Sequence, residues 1–131
     1  MKVLSLKEPY ATLIKTGIKT IETRSWKTNY RGKLYLHARS AKIPKEYIEN
    51  NELISLIDLS DLNYGKIICS CELTDCFEMT NEFIEEIKKN KNEYISGIYE
   101  KGRYAWILRN IVVLDEPIIA KGHLGIWNLD D

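Results

Sequence analysis

Gly17-Ile18-Lys19-Thr20-Ile21-Glu22-Thr23-Arg24-Ser25-Trp26 joins a helix stop, a strand and a row of charged side chains. From Thr20 to Trp26 the residues alternate, which places Thr20, Glu22, Arg24 and Trp26 on one face and Ile21, Thr23 and Ser25 on the other. Leu34 to Ala38 repeats the alternation, and Asn29 to Gly32 carries turn chemistry, so the two runs read as a hairpin. Upstream, Val3 to Leu6 reads as a strand, and Pro9 sits where a first helical turn tolerates it, followed by a helix from Tyr10 to Lys15 that stops at Gly17. Downstream, Pro44 to about Leu56 is a second helical region with Ile48, Leu53, Ile54 and Ile57 on one side. Lys66 to Leu73 follows Gly65 as a strand, and Thr80 caps a helix from Asn81 to Lys89 that turns Phe83, Ile84 and Ile87 inward. Tyr104 to Leu114 is the longest strand-like run, Pro117 ends its regular pairing, and a last strand lies near His123 to Leu129. Strands outnumber helices and do not alternate with them as in parallel βαβ proteins. The fold class expected is α+β, a mixed or antiparallel sheet curled into a small barrel with two or three helices.

At 131 residues the chain fits one domain spanning residues 1–131. With 44% hydrophobic and 29% charged residues it has ordinary globular composition, and only the last few residues are expected to hang free. The start, MKVLSLKEPY, holds one apolar pair and no signal-peptide core, and no apolar stretch approaches the ~20 residues that span a bilayer. A cytoplasmic protein without membrane contact is expected, with the monomer as its working state. Cys69, Cys71 and Cys76, an odd and bunched set, make no disulfide framework and fit a reducing compartment. Their C-x-C-x4-C spacing lacks paired zinc knuckles, and alternation turns Cys69 and Cys71 to one face with Ile67 and Leu73, so they read as core cysteines. No metal or other cofactor is expected. His37 reads as a hydrogen-bonded structural residue with a second possibility, that it reaches the mouth of a cleft. Trp106 and Trp127 alternate with aliphatic residues and read as packing; the helix from Glu82 reads as a solvated face, with Glu85 and Lys89 in favourable order.

The formal net charge is zero, yet the chain is polarised. Residues 1–45 hold eleven Lys and Arg against two acids, Glu8 and Glu22, whereas residues 46–131 hold eight against seventeen. Such asymmetry can build one positive face that steers anions, unless the two parts interleave in space and neutralise each other.

On the strand face, Lys19 is a mobile point charge, Arg24 a planar fork able to grip phosphate or a base edge, and Glu22 can orient either. Trp26 and Tyr30 offer stacking surfaces, and Arg31 extends the charge, as single-stranded RNA requires. Gly17, free to take positive φ, can aim backbone amides at a ligand. The plainer alternative is a cross-strand salt bridge beside a core tryptophan.

Ser5-Leu6-Lys7-Glu8-Pro9-Tyr10, the segment from Gly17 to Trp26, Tyr30-Arg31-Gly32-Lys33-Leu34, His37-Ala38, Lys121-Gly122 and Ile126-Trp127 together resemble the ASCH family, the activating signal cointegrator homology domain. Its signature G-x-K-x-x-E-x-R is matched in full, in the manner of its stand-alone bacterial members. The resemblance implies a PUA-like barrel with a cleft lined by the signature residues, and binding of RNA or another nucleotide-like ligand through Gly17, Lys19, Arg24, Trp26, Tyr30 and Arg31. Some compact relatives are amidohydrolases of acetylated cytidine. Carried over, their lysine is Lys19 and their late carboxylate Glu72, but their threonine nucleophile falls at Glu22, which cannot replace it because an acyl-carboxylate would be a labile anhydride. For relatives proposed to cut RNA, the resemblance implies Lys19 as stabiliser of charge and Glu22 or Glu72 as base. Against this stands Glu72 as a plain ion-pair partner of Lys19 or Arg24. Three functions follow: a nucleic-acid-binding domain, a small hydrolase of modified nucleosides or RNA, and a protein-interaction module. A closed cleft with Lys19, Glu22 and Arg24 locked in mutual salt bridges would mark the last.

Overall fold

The computed structural model describes residues 1–130. β1 (Lys2–Leu6) runs parallel to β3 (Gly32–Ala38) and antiparallel to the short β6 (Ile126–Asn128). β3 pairs antiparallel with β4 (Lys66–Glu78), β4 with β5 (Tyr104–Ile119), and β5 with β2 (Ile21–Arg24). The resulting mixed sheet has six strands in the order β2-β5-β4-β3-β1-β6 and curls into a half-barrel. Its curl brings β2 back opposite β1: the Arg24 Nη2 donates to the Ser5 carbonyl at 3.1 Å although three strands separate the two along the sheet.

That order overturns the expected hairpin, because β5 and β4 stand between β2 and β3. Register with β5 sets Ile21 opposite Ile107 and Thr23 opposite Ala105. Ile21 and Ala105 then bury against Met79, Ile84 and Tyr99, an apolar cluster that direct pairing with β3 would not supply. Nonlocal burial outweighs the local turn preference of Asn29 to Gly32. The main core lies on the other face, where Leu4, Leu6, Leu34, Leu36, Cys71, Leu73, Trp106 and Leu108 pack under Ala11 and Ile14.

Those two alanine and isoleucine positions belong to α1 (Tyr10–Lys15), which starts after Pro9. Glu8, buried, accepts from the Thr12 amide at 2.8 Å and from the Thr12 hydroxyl, so a carboxylate satisfies a free amide of the first turn. Gly17 ends the helix at φ +86°, with its amide on the Ile14 carbonyl and that of Lys19 on Leu13. The second helical region breaks in two, α2 (Lys45–Asn50) and a 3-10 turn (Glu52–Leu56), because Asn51 is extended and its side chain accepts from the Leu53 amide at 2.9 Å. α3 (Asn81–Lys88) starts at Thr80 as its capping residue. A further helix, α4 (Lys91–Ile95), brings the α-helices to four among the described residues, where two or three were expected. β4 and β5 both run longer than their apolar cores suggested. Pro117 falls where β5 advances from Val113 to Ile118 while β4 advances only from Cys69 to Ile67, a bulge that spares the missing amide, and pairing then resumes. The end of the chain is tied down as far as Leu129, whose amide and carbonyl both bond Met1; Asp131 lies outside the described residues.

Candidate functional site

Where β2 faces the end of β1, a cleft of about 460 Å³ opens. Among the described residues its walls carry four cations, Lys7, Arg24, Arg39 and Arg103, and one carboxylate, Glu22. Tyr10 and Trp26 line it too, and Gly97 and Ile98 close one side. Lys7 follows directly on β1 and Arg39 on the neighbouring β3, so parallel pairing of those strands sets the two cations side by side at one end.

Glu22 is the hub. Its Oε2 accepts from Arg24 Nε at 2.9 Å, and its Oε1 lies 3.2 Å from the Thr23 amide and 3.5 Å from Lys19 Nζ. Lys19 is itself fully buried and donates to the carbonyls of Ile21 and Ser96, both at 2.6 Å. Burial lowers the Lys19 pKa below the ordinary lysine range, and the charges of Glu22 and then Glu93 pull it back. Lys19 therefore stands behind the cleft wall and holds Glu22, which in turn aims Arg24 along the cleft. The three are locked in mutual salt bridges, but the cleft in front of them is open.

The remaining expected residues separate. Trp26 lines the cleft, its ring edge-on to Trp106 at 4.8 Å and its carbonyl accepting from the Trp106 indole at 3.3 Å. Tyr30 turns away, with its hydroxyl on the Lys33 carbonyl and its ring against the main core. Arg31 is spent on the Thr28 and Tyr30 carbonyls and lies 3.8 Å from Asp75. The Gly17 and Lys19 amides close α1 and aim at no cleft. Glu72 pairs in register with Lys33 and Arg109, on the face opposite the buried Cys71 and Leu73, and is absent from the cleft wall. Glu22 and Glu72 are thus not assembled here as an acid–base pair, and the carboxylate that pairs with Lys19 is Glu22, with the charge of Glu93 nearby.

Glu93, on α4, accepts from the Thr20 amide at 2.9 Å and from the Thr20 hydroxyl, fixing the start of β2. Ser96 lends Lys19 a carbonyl. Nothing in the local pattern of a five-residue helix announces this, because the acid's value lies in a contact 73 residues away. Lys7, Arg39 and Arg103 were also missed. Lys7 lies within the family-like segment Ser5 to Tyr10, which was the one signal available.

His37 takes the structural alternative. It is buried, its Nε2 donates to the Ala120 carbonyl at 2.8 Å, and its Nδ1 accepts from Ser5 Oγ at 3.0 Å, while Ser5 accepts from the Trp127 indole. Cys69 and Cys71 are core residues whose thiols burial pushes up to about 12, and no metal-binding cluster occurs among the described residues. Lys88 and Lys89 pair with Glu85 and Glu86 at i,i+3 spacing, in place of the expected Glu85 with Lys89.

A family model for the ASCH domain matches residues 4–117. The chain belongs to the ASCH domain family. Activating signal cointegrator 1 from Homo sapiens is 29% identical over 97% of this chain, and that from Mus musculus 28% over the same share. The chain spans 22% of the length of either, so the likeness concerns one region of a longer protein. The crystal structure of ASCH from Zymomonas mobilis superposes with a TM-score of 0.54 at 17% identity, over 90% of this chain and 72% of that one. A tyrosine-to-phenylalanine mutant of the same protein gives 0.54 at 16%, over 90% and 74%. These two show the fold, a PUA-like half-barrel, and the ASCH family is generally associated with RNA binding.

Proposed function

We propose that this ASCH domain binds single-stranded RNA in the cleft between β1 and β2, with phosphate oxygens on Lys7 and Arg39, the Arg24 and Arg103 forks beside them, and a base against Trp26 or Tyr10. One observation carries the proposal. Both acids of the basic first third are buried and engaged, Glu8 on Thr12 and Glu22 between Lys19 and Arg24, so that of the cleft cations only Arg24 is ion-paired and Lys7, Arg39 and Arg103 have no ion pair among the described residues. The first third does interleave with the rest in the sheet order, but among the described residues no acid of the later segments lines this wall. The locked Lys19, Glu22 and Arg24 fit an interaction module as well; the open, cation-lined cleft favours a ligand over a docked protein surface.

Lys7 and Arg39 are the residues to test, since neither has an ion pair or side-chain hydrogen bond to lose among the described residues, whereas Lys19 supports the fold. Lys7→Ala with Arg39→Ala is expected to weaken binding of a labelled single-stranded RNA by about tenfold or more while leaving the melting temperature in place. Equal affinity of the double variant and the parent protein at low salt would overturn the proposal, and tighter binding of the DNA counterpart would replace RNA with DNA as the ligand.

A further inference from the structure

A second cavity of about 350 Å³ adjoins the first, with Arg39 on the wall of both. Its other side is the β5–β6 connection, which presents Lys121, His123 and Leu124. Among the described residues no carboxylate lines it. Lys121, like Arg39, makes no ion pair or side-chain hydrogen bond among the described residues.

The connection is built as a platform. A Cβ on Gly122 would stand 2.9 Å from His37 Cε1 and 3.0 Å from Ser5 Oγ, so glycine alone lets this backbone lie against the imidazole. The His37 Nε2 bond to the Ala120 carbonyl ties the segment from the other direction. His123 rests edge-on to Trp127 at 5.0 Å. Lys121 and His123 are therefore carried on backbone fixed to the core, which reduces the ordering entropy of a contact with ligand. Trp26, on the wall of the first cavity, reaches the same connection: its Cη2 lies 4.0 Å from the position a Cβ on Gly125 would take.

We infer that the second cavity is the subsite for the next phosphodiester of the strand, held between Arg39 and Lys121, so that the ligand is a chain of linked nucleotides and not a free mononucleotide. The inference rests on the binding proposed above for the first cleft. Arg39, shared by the two cavities, is placed to take the phosphate that joins the two nucleotides. A planar guanidinium with several donors can bridge neighbouring oxygens where a lysine would bind only one point. Leu124, 86% exposed on the rim, offers an apolar surface to the sugar or base that follows.

Affinities of the whole chain for a 5′-phosphorylated mononucleotide, a dinucleotide and an octanucleotide of RNA separate the possibilities. The dinucleotide and octanucleotide are expected to bind at least about tenfold more tightly than the mononucleotide. Lys121→Ala is expected to remove most of that gain, to leave mononucleotide binding unchanged, and to lower the salt slope of octanucleotide binding by about 0.7, the share of one phosphate contact on a single strand. A Gly122→Ala variant that keeps its fold should show the same pattern, since it displaces the platform without touching a charge. Octanucleotide binding insensitive to Lys121 but lost with Lys7 and Arg39 would overturn the second subsite and leave the first standing. Failure of the parent protein to bind any of the three would overturn both.

Discussion

Lys19 occupies a position where a charge is useful only because everything around it is arranged to receive it. Its ammonium fills the space between the Ile21 and Ser96 carbonyls and beneath Glu22. Lys19→Ala would leave two buried carbonyls unsatisfied and Glu22 without its buried ammonium partner, a loss of about 3–5 kcal/mol measurable by urea unfolding. A loss under about 1 kcal/mol would show that water replaces the ammonium and that the residue faces the cleft after all. His37 supplies a second test at this scale. Its pKa lies below 6.5, chiefly because burial penalises the imidazolium. Below that pH the unfolded chain takes up a proton that the native state refuses, so stability should fall as pH drops below 6.5, by at most about 1.4 kcal/mol per pH unit, and level off once the native imidazole also titrates. His37→Gln should flatten that stretch of the unfolding profile; an unchanged slope would assign the acid sensitivity to another group. The signature Lys19, Glu22 and Arg24 was legible as a charged row along one strand, but the depth of each residue was not. Alternation assigns a face, and only the packing of α4 over the start of β2 decides that Lys19 is sealed in while Arg24 looks out.

The same division holds for elements. α1, β1 and α3 were readable because their signals are local: apolar spacing, a capping threonine at Thr80, a glycine at Gly17. The partner of β2 was not, since turn residues at Asn29 to Gly32 argue for the nearest strand and the buried contacts of Ile21 argue for a distant one. α4 escaped because five residues carry too little periodicity to stand out, yet it delivers Glu93 and Ser96 to the site. The loop that follows it presses on β2 at Gly97, where a Cβ would come within 2.9 Å of Thr23 Cγ2 and 3.0 Å of Tyr99 Cε2. Gly97→Ala should therefore push this wall off β2, destabilise the fold by about 1–3 kcal/mol and weaken RNA binding, since the Thr23 hydroxyl that holds the Ile98 amide and the carbonyl that receives Arg103 sit on the displaced contact. Calorimetric unfolding beside an affinity measurement checks it; a variant as stable as the parent would show that the loop gives way freely and forms no fixed wall.

For the whole molecule, zero net charge and nucleic-acid binding are compatible when acids are withdrawn from one surface. With Lys7, Arg39 and the partly engaged Arg24 and Arg103 available, the logarithm of the RNA association constant should fall with the logarithm of salt concentration at a slope of about −1.5 to −3. A slope near zero would mean that binding rests on apolar and stacking contacts alone. The polarity between the first third and the rest, the α+β class, the family and the charged row from Lys19 to Arg24 could be read from the chain itself, because they depend on composition, short-range periodicity and a motif. That β2 joins β5, that Glu8 and Glu22 are consumed internally, and that Arg39 and Arg103 arrive at one cleft while Tyr30, Arg31 and Glu72 do not, was decided by tertiary structure. Strand order follows from the best joint burial of apolar faces over the whole sheet, a quantity no single segment carries.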